Sequence, residues 1–211
     1  MGFNGLGGMV YSVTLWIARL AYLNILWIVF TVAGIGLFGV FPATVSSNHL
    51  IRSWINGQTK PIFQTFFKTY KDSFISTNIL GWSIAPIIII SVLLVRWSIL
   101  IDHSLSLFIM IAFSFISVLF LFFFLFLMPV YTHYDVNLKE VYKHALYITI
   151  GFPHYAILMV LVWSIIIYIL LFSGFFIFFF ASSTSFVSMY ISYKAFTKIK
   201  IKQAEREIMP T

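Results

Sequence analysis

The sequence predicts an all-α polytopic membrane protein: a single transmembrane domain over residues 1–211 with five spans, or six if residues 42–56 also cross. Three observations predict it. Of the 211 residues, 61% are hydrophobic and 9% charged, against roughly 45–50% and about 25% in an average soluble domain. So few charges cannot coat a soluble globule of this size. The charged residues are also clustered, and the uncharged intervals between them reach the length of about 20 residues that a helix needs to cross a bilayer. Finally, most of the basic residues fall on alternate connections, as cytoplasmic loops do.

The first interval runs between Arg19 and Arg52, 32 residues without Asp, Glu, Lys or Arg. It is apolar from Leu20 to Val32 apart from Asn24 and Thr31, then loosens at Gly34, Gly36, Gly39 and Pro42. That is more than one span and less than two, which fits a tilted helix continuing into a shorter one from Pro42. Residues 58–77 follow as an amphipathic cytoplasmic helix. Phe63, Phe66, Phe67, Tyr70 and Phe74 fall at i, i+3, i+4, i+7 and i+11, one helical face, with Lys60, Lys68 and Lys71 largely off it. Such a stripe suits either insertion into the inner leaflet or docking of a protein partner. The partner-binding residues expected on this reading are those five aromatics, with Arg52 and Trp54 at the approach.

The second span is expected from Ser73 to Val95, interrupted by Pro86, and the third from Ser104 to about Met128, closed by Pro129. The 49 uncharged residues from Ala145 to Tyr193 hold two more spans, with a tight turn near Ser173-Gly174. Residues 194–211 form a basic cytoplasmic tail. Eleven of the 13 Lys/Arg lie on the connections assigned to one side, leaving Arg19 and Arg96 for the other. With five spans this puts the C-terminus in the cytoplasm and the N-terminus outside. A shallow hairpin of residues 5–31 and 42–56 would instead give six crossings and an inside N-terminus.

The net charge of +7 therefore reads as topology, with anionic lipid headgroups as partners at the basic loops, and not as nucleic-acid affinity. The 25 Phe sit inside apolar runs without the interleaved basic residues of a stacking platform. No cysteine is present, which removes thiolate metal sites and thiol nucleophiles. His133, Asp135, Glu140 and His144 share one loop, but Glu140 and His144 alone lack further ligands at diagnostic spacing. No metal or cofactor is expected. Phosphate-binding glycine loops, His-Glu-x-x-His and Gly-x-Ser-x-Gly are missing, so no enzyme is expected. Three polar residues stand out near or inside the membrane: Asn24, His49 and His154. Asn24 needs a partner on a neighbouring helix, and the others are either satisfied contacts or functional groups. Arg96, Asp102 and His103 are expected to pair or snorkel where the second and third spans turn.

Arg19-Leu20-Ala21-Tyr22-Leu23-Asn24 running into Leu26-Trp27, Phe41-Pro42-Ala43-Thr44, Arg52-Ser53-Trp54 and Asn78-Ile79-Leu80-Gly81 together resemble the YesL-like family of small bacterial membrane proteins. The resemblance extends to Pro61-Ile62-Phe63, to Tyr70-Lys71 and, later, to Phe152-Pro153. Val45 to His49 departs from it, being more polar than the family's usual aliphatic run. Members are often encoded beside sugar-importing ABC systems. The resemblance thus implies a non-catalytic accessory or regulatory subunit of an oligosaccharide importer in the bacterial cell membrane, with importer subunits as partners. The alternative is a stand-alone oligomeric carrier or channel for a small solute.

Overall fold

The computed structural model describes the backbone of residues 6–100 and 105–208, and these fold into seven helices: α1 (Leu6–Ala33), α2 (Val40–Ile55), α3 (Ile62–Ile99), α4 (Ser106–His133), α5 (Leu138–Gly151), α6 (Pro153–Ser173) and α7 (Phe176–Ile208). Five of them, α1, α3, α4, α6 and α7, are long and apolar enough to cross a membrane. The polytopic helical bundle expected from composition is the fold found. Asp102 and His103 lie outside the described residues.

The glycines after α1 make a tight return. A Cβ on Gly34 would collide with the Tyr70 hydroxyl and with Gly39, and one on Gly39 would collide with the backbone of Thr31. Two missing side chains therefore let α2 fold back directly against α1. Trp27 Nε1 donates to Thr44 Oγ1 at 3.1 Å near the turn, while Trp16 meets Trp54 edge to face at the far end of the pair. At 16 residues, α2 is about 24 Å long, short of a bilayer core. Its hydroxyls are satisfied internally: Ser46 and Ser47 donate to the carbonyls of Pro42 and Ala43.

Two boundaries differ from the sequence expectation. The amphipathic segment within 58–77 and the second span are one continuous helix, the 38 residues of α3, about 57 Å long at 1.5 Å per residue. Ser73 and Thr77, where the two segments overlap, donate back to the carbonyls of Thr69 and Ser73. Pro129 likewise does not close the third span, since α4 runs through it to His133. Proline removes one helical hydrogen bond, that to Leu125, and the neighbouring helices hold the rest in place. The turn near Ser173 is where it was expected: Gly174 takes φ 71° and separates α6 from α7. Asn137 caps α5, its side chain accepting from the Glu140 N–H at 3.0 Å.

The contacts of α1 with α7 fix their relative direction. Asn24 reaches Ile177, Ala181 and Ser182, and Trp16 meets Phe186. Going down α1 therefore means going up α7, and the two run antiparallel. The start of α1 thus shares an end of the bundle with the second half of α7. α1 and α2 thus form a hairpin, with α2 as a short return inside the bundle that is not among the five helices long enough to cross a membrane. Arg19, assigned from sequence to the opposite side, lies over the Trp54 ring at 5.6 Å, two residues from Arg52.

One apolar core joins these elements. Leu23 and Leu26 of α1, Leu50 and Ile51 of α2, Phe66 of α3, Phe126 and Leu127 of α4, Ile148 of α5 and Phe196 of α7 are all buried in it. By contrast, the outer halves of α3 and α4 expose Ile89, Leu93, Trp97, Phe108, Ile111 and Phe115. An apolar surface of that extent belongs against lipid or protein.

Candidate functional site

α2 carries the polar run Thr44-Val45-Ser46-Ser47-Asn48-His49 through the middle of the protein, and its successive side chains open onto different spaces. His49 faces a cleft of about 580 Å³ between α2, the start of α3 and the end of α4, shared with Lys60, Gln64, Lys68, Asp72, Tyr131 and Thr132. A second hollow of about 210 Å³ lies next to it, lined by His49, Arg52, Ser53, Asn56, Gln58 and Lys60. His49 and Lys60 thus belong to both.

The polar geometry there sets several cations against one carboxylate, Asp72, and neither Lys60 nor Arg52 is bonded to a carboxylate among the described residues. Lys60 Nζ lies 3.4 Å from His49 Nε2. Arg52 Nη1 donates to the Thr132 carbonyl at 2.7 Å, tying α2 to the end of α4. Its Nε is buried without a hydrogen-bond partner. Burial holds the His49 pKa below its ordinary value, and the charges of Lys60 and Arg52 push it further down. The imidazole is therefore neutral near pH 7 and can accept a hydrogen bond from the ammonium of Lys60.

Asn48, one residue earlier, points the other way. It borders a cavity of about 200 Å³ between α2, α4 and α7, with Trp27, Thr44, Leu125, Pro129, Thr184 and Ser185 also in the lining. The residue is fully buried, yet neither its amide nitrogen nor its oxygen has a partner. An unpaired buried amide costs on the order of 1–3 kcal/mol per group by mutational measures.

The other polar residues singled out in the sequence behave differently. Asn24 is satisfied: its Nδ2 donates to the Ile177 carbonyl at 2.6 Å, and its Oδ1 accepts from the N–H of Ala181 at 2.8 Å and of Ser182 at 3.2 Å. It stands between the carbonyl and N–H of successive turns of α7 and fastens the first pass to the last. His154 is exposed at the start of α6, its ring against Tyr155 at 4.4 Å between centroids, and it borders neither cavity. Among the described residues no three His, Asp or Glu gather as metal ligands.

The aromatic stripe of α3 is divided by its own helix bundle. Phe66 is fully buried and Tyr70 buried. Tyr70 donates its hydroxyl to the Phe30 carbonyl at 2.9 Å, and the Phe30 ring meets both residues. Trp54, too, is buried, between Trp16 and Arg19. These three residues, assigned from sequence to a partner, contact this chain instead. Phe63 and Phe67 remain 52% and 49% exposed, their rings nearly parallel. Phe67, half-buried Phe74 and Phe30 border an open groove of about 410 Å³ where α1 meets α3. What sequence reasoning missed is Lys60 as a neighbour of His49, and the walls that α4 and α7 contribute. Lys60-Pro61 at the start of α3 was the available signal for the first; nothing local could announce the second.

Comparison with known proteins matches residues 20–95 to the family described as protein of unknown function, DUF624, a stretch covering the second half of α1, all of α2 and most of α3. The chain is 31% identical over 194 residues to the uncharacterized protein YesL of Bacillus subtilis (strain 168), covering 91% of each. It is 33% identical over 205 residues to the uncharacterized protein YteU of the same organism, covering 95% of this chain and 90% of that one. A third relative there, the uncharacterized protein YesV, is 29% identical over 131 residues, covering 62% of this chain and 63% of its own. No solved structure matches the chain.

Proposed function

The chain belongs to the YesL-like family, and from that premise we propose that it is a non-catalytic accessory or regulatory subunit of a bacterial uptake system for oligosaccharides. It acts by packing helices beside the importer in the cell membrane, with its tail in the cytoplasm. The observation that carries this reading is the exposed Phe63–Phe67 pair beside the groove between α1 and α3. It lies at the start of α3, near the lysines, where a partner helix could lay its apolar face across both helices. The importer as that partner rests on the family resemblance.

Affinity purification of the tagged full chain in mild detergent tests the reading. Importer permease subunits are expected to come with the wild type and to be lost with Phe63→Ala/Phe67→Ala. Recovery of a lone protein, or a partner set indifferent to those two rings, overturns it.

A second reading, a small-solute carrier, is favoured by the cavity beside Asn48 in the middle of the bundle. Solute entry into liposomes containing only this protein supports it. Tight liposomes across sugars and ions remove it.

A further inference from the structure

We propose that the cleft where His49, Arg52 and Lys60 meet the start of α3 is a binding site for a phosphate-bearing anion. Four basic or potentially basic side chains line two hollows that share His49 and Lys60: those two, Arg52 and Lys68, with Asp72 as the one carboxylate. Among the described residues Lys60 faces the imidazole and Arg52 faces a carbonyl, with no carboxylate bonded to either. Gathering Arg52, Lys60 and Lys68 around these hollows with a single carboxylate favours an anionic guest, and a partly enclosed cleft strengthens the field on it.

Two further observations point to a guest. Arg52 Nε is a buried donor without an acceptor, although its Nη1 is fixed by Thr132. That bond orients the guanidinium and leaves a donor edge unused, and a planar guanidinium fork suits phosphate oxygens. The start of α3 also opens on the cleft through Pro61, Gln64 and Thr65. Its first turn has neither a side-chain cap nor an acidic residue, so the positive end of a 38-residue helix adds to the field. About 580 Å³ exceeds the needs of a bare phosphate and accommodates a phosphomonoester. The phosphate can come from a soluble metabolite or from the headgroup of a phosphatidic-acid-type lipid, since the chemistry at the site is the same.

The test uses the full chain in neutral detergent. Inorganic phosphate is titrated calorimetrically against chloride at matched ionic strength. In parallel, the protein is reconstituted in phosphatidylcholine with and without phosphatidic acid, and the retained lipid is measured. Lys60 lies in the connection before α3 rather than in a helix, so Lys60→Gln leaves the fold in place, and Lys68→Gln serves as a second variant. Loss of one charged contact is expected to weaken binding about tenfold, with Lys60→Arg restoring it. Phosphate binding lost in the variants identifies a soluble ligand; variant-sensitive retention of phosphatidic acid alone identifies the lipid. Wild type and both Gln variants agreeing in phosphate affinity and in lipid retention overturns the proposal.

Discussion

α2 and the outer hairpin of α3 and α4 are built in opposite ways. α2 carries Thr44, Ser46, Ser47, Asn48, His49, Arg52 and Ser53 in 16 residues, and most of it is buried. The outer parts of α3 and α4, residues 87–100 and 105–115, are mostly aliphatic and aromatic, and more than half of their side chains are exposed. A soluble protein would reverse this, because water rewards burial of the apolar segment. In a membrane the solvent is hydrocarbon, so apolar residues lose little by facing outward. Polar ones must find partners inside. The contrast places the membrane without any lipid being present, and it singles out α2 as the element with something to do besides packing.

The largest expected effect pits the two regions against each other. Leu50→Ala, which empties a fully buried position of α2, should cost about 2–5 kcal/mol. Ile111→Ala on the exposed hairpin face should cost well under about 1 kcal/mol, because lipid or detergent fills the space. Denaturant titration in micelles measures both. Equal losses would mean that the hairpin face is covered in the folded protein and that the contrast is false.

The next comparison sharpens the interior itself. Asn24→Leu removes three hydrogen bonds between α1 and α7, so it should destabilise by about 1–2 kcal/mol. Asn48→Leu replaces an amide that has no partner and should stabilise the protein by about 1 kcal/mol. Two buried asparagines with opposite signs distinguish a fastening from a group held ready for a ligand. If Asn48→Leu destabilises as Asn24→Leu does, the amide has a structural role.

The smallest effect is on pH. The folded protein holds the His49 pKa below its ordinary 6.5, so it binds fewer protons there than the unfolded chain. His49 therefore costs no stability above about pH 6.5, and stability falls as pH drops below that through the lowered folded value. Lys60 and Arg52 face the ring, with Lys68, Asp72 and Tyr131 across the cleft. Since other histidines also titrate, the quantity to measure is the difference between wild type and His49→Gln, whose acid limb should be flatter. Identical acid limbs would show that His49 does not sit in the basic surroundings described.

Legibility in the sequence followed the range of the interaction. The long helices, the Ser173-Gly174 turn and the need of Asn24 for an interhelical partner were all readable. The charge gaps, the single glycine and the lone amide each carry their own signal. The aromatic stripe of α3 was readable as a helix face, but not as a divided one. Phe66 and Tyr70 turn toward Phe30, 36 and 40 positions earlier, while Phe63 and Phe67 keep much of their surface free. Periodicity reports that residues share a face and is silent on what covers it. The helix-ending weight given to Pro129 also failed, because neighbouring helices met the backbone's needs.

Composition and charge spacing alone determined that this chain is a multi-pass helical membrane protein, because transfer into hydrocarbon is summed over each segment and depends only weakly on its neighbours. Only the tertiary structure decided that α2 returns through the bundle and that the start of α1 shares an end with the second half of α7. It alone brought His49 and Lys60 together, left Asn48 unpaired and set Asn24 into α7. Those outcomes depend on the packing of helices far apart in the chain, where two missing Cβ atoms at Gly34 and Gly39 weigh as much as a whole apolar run.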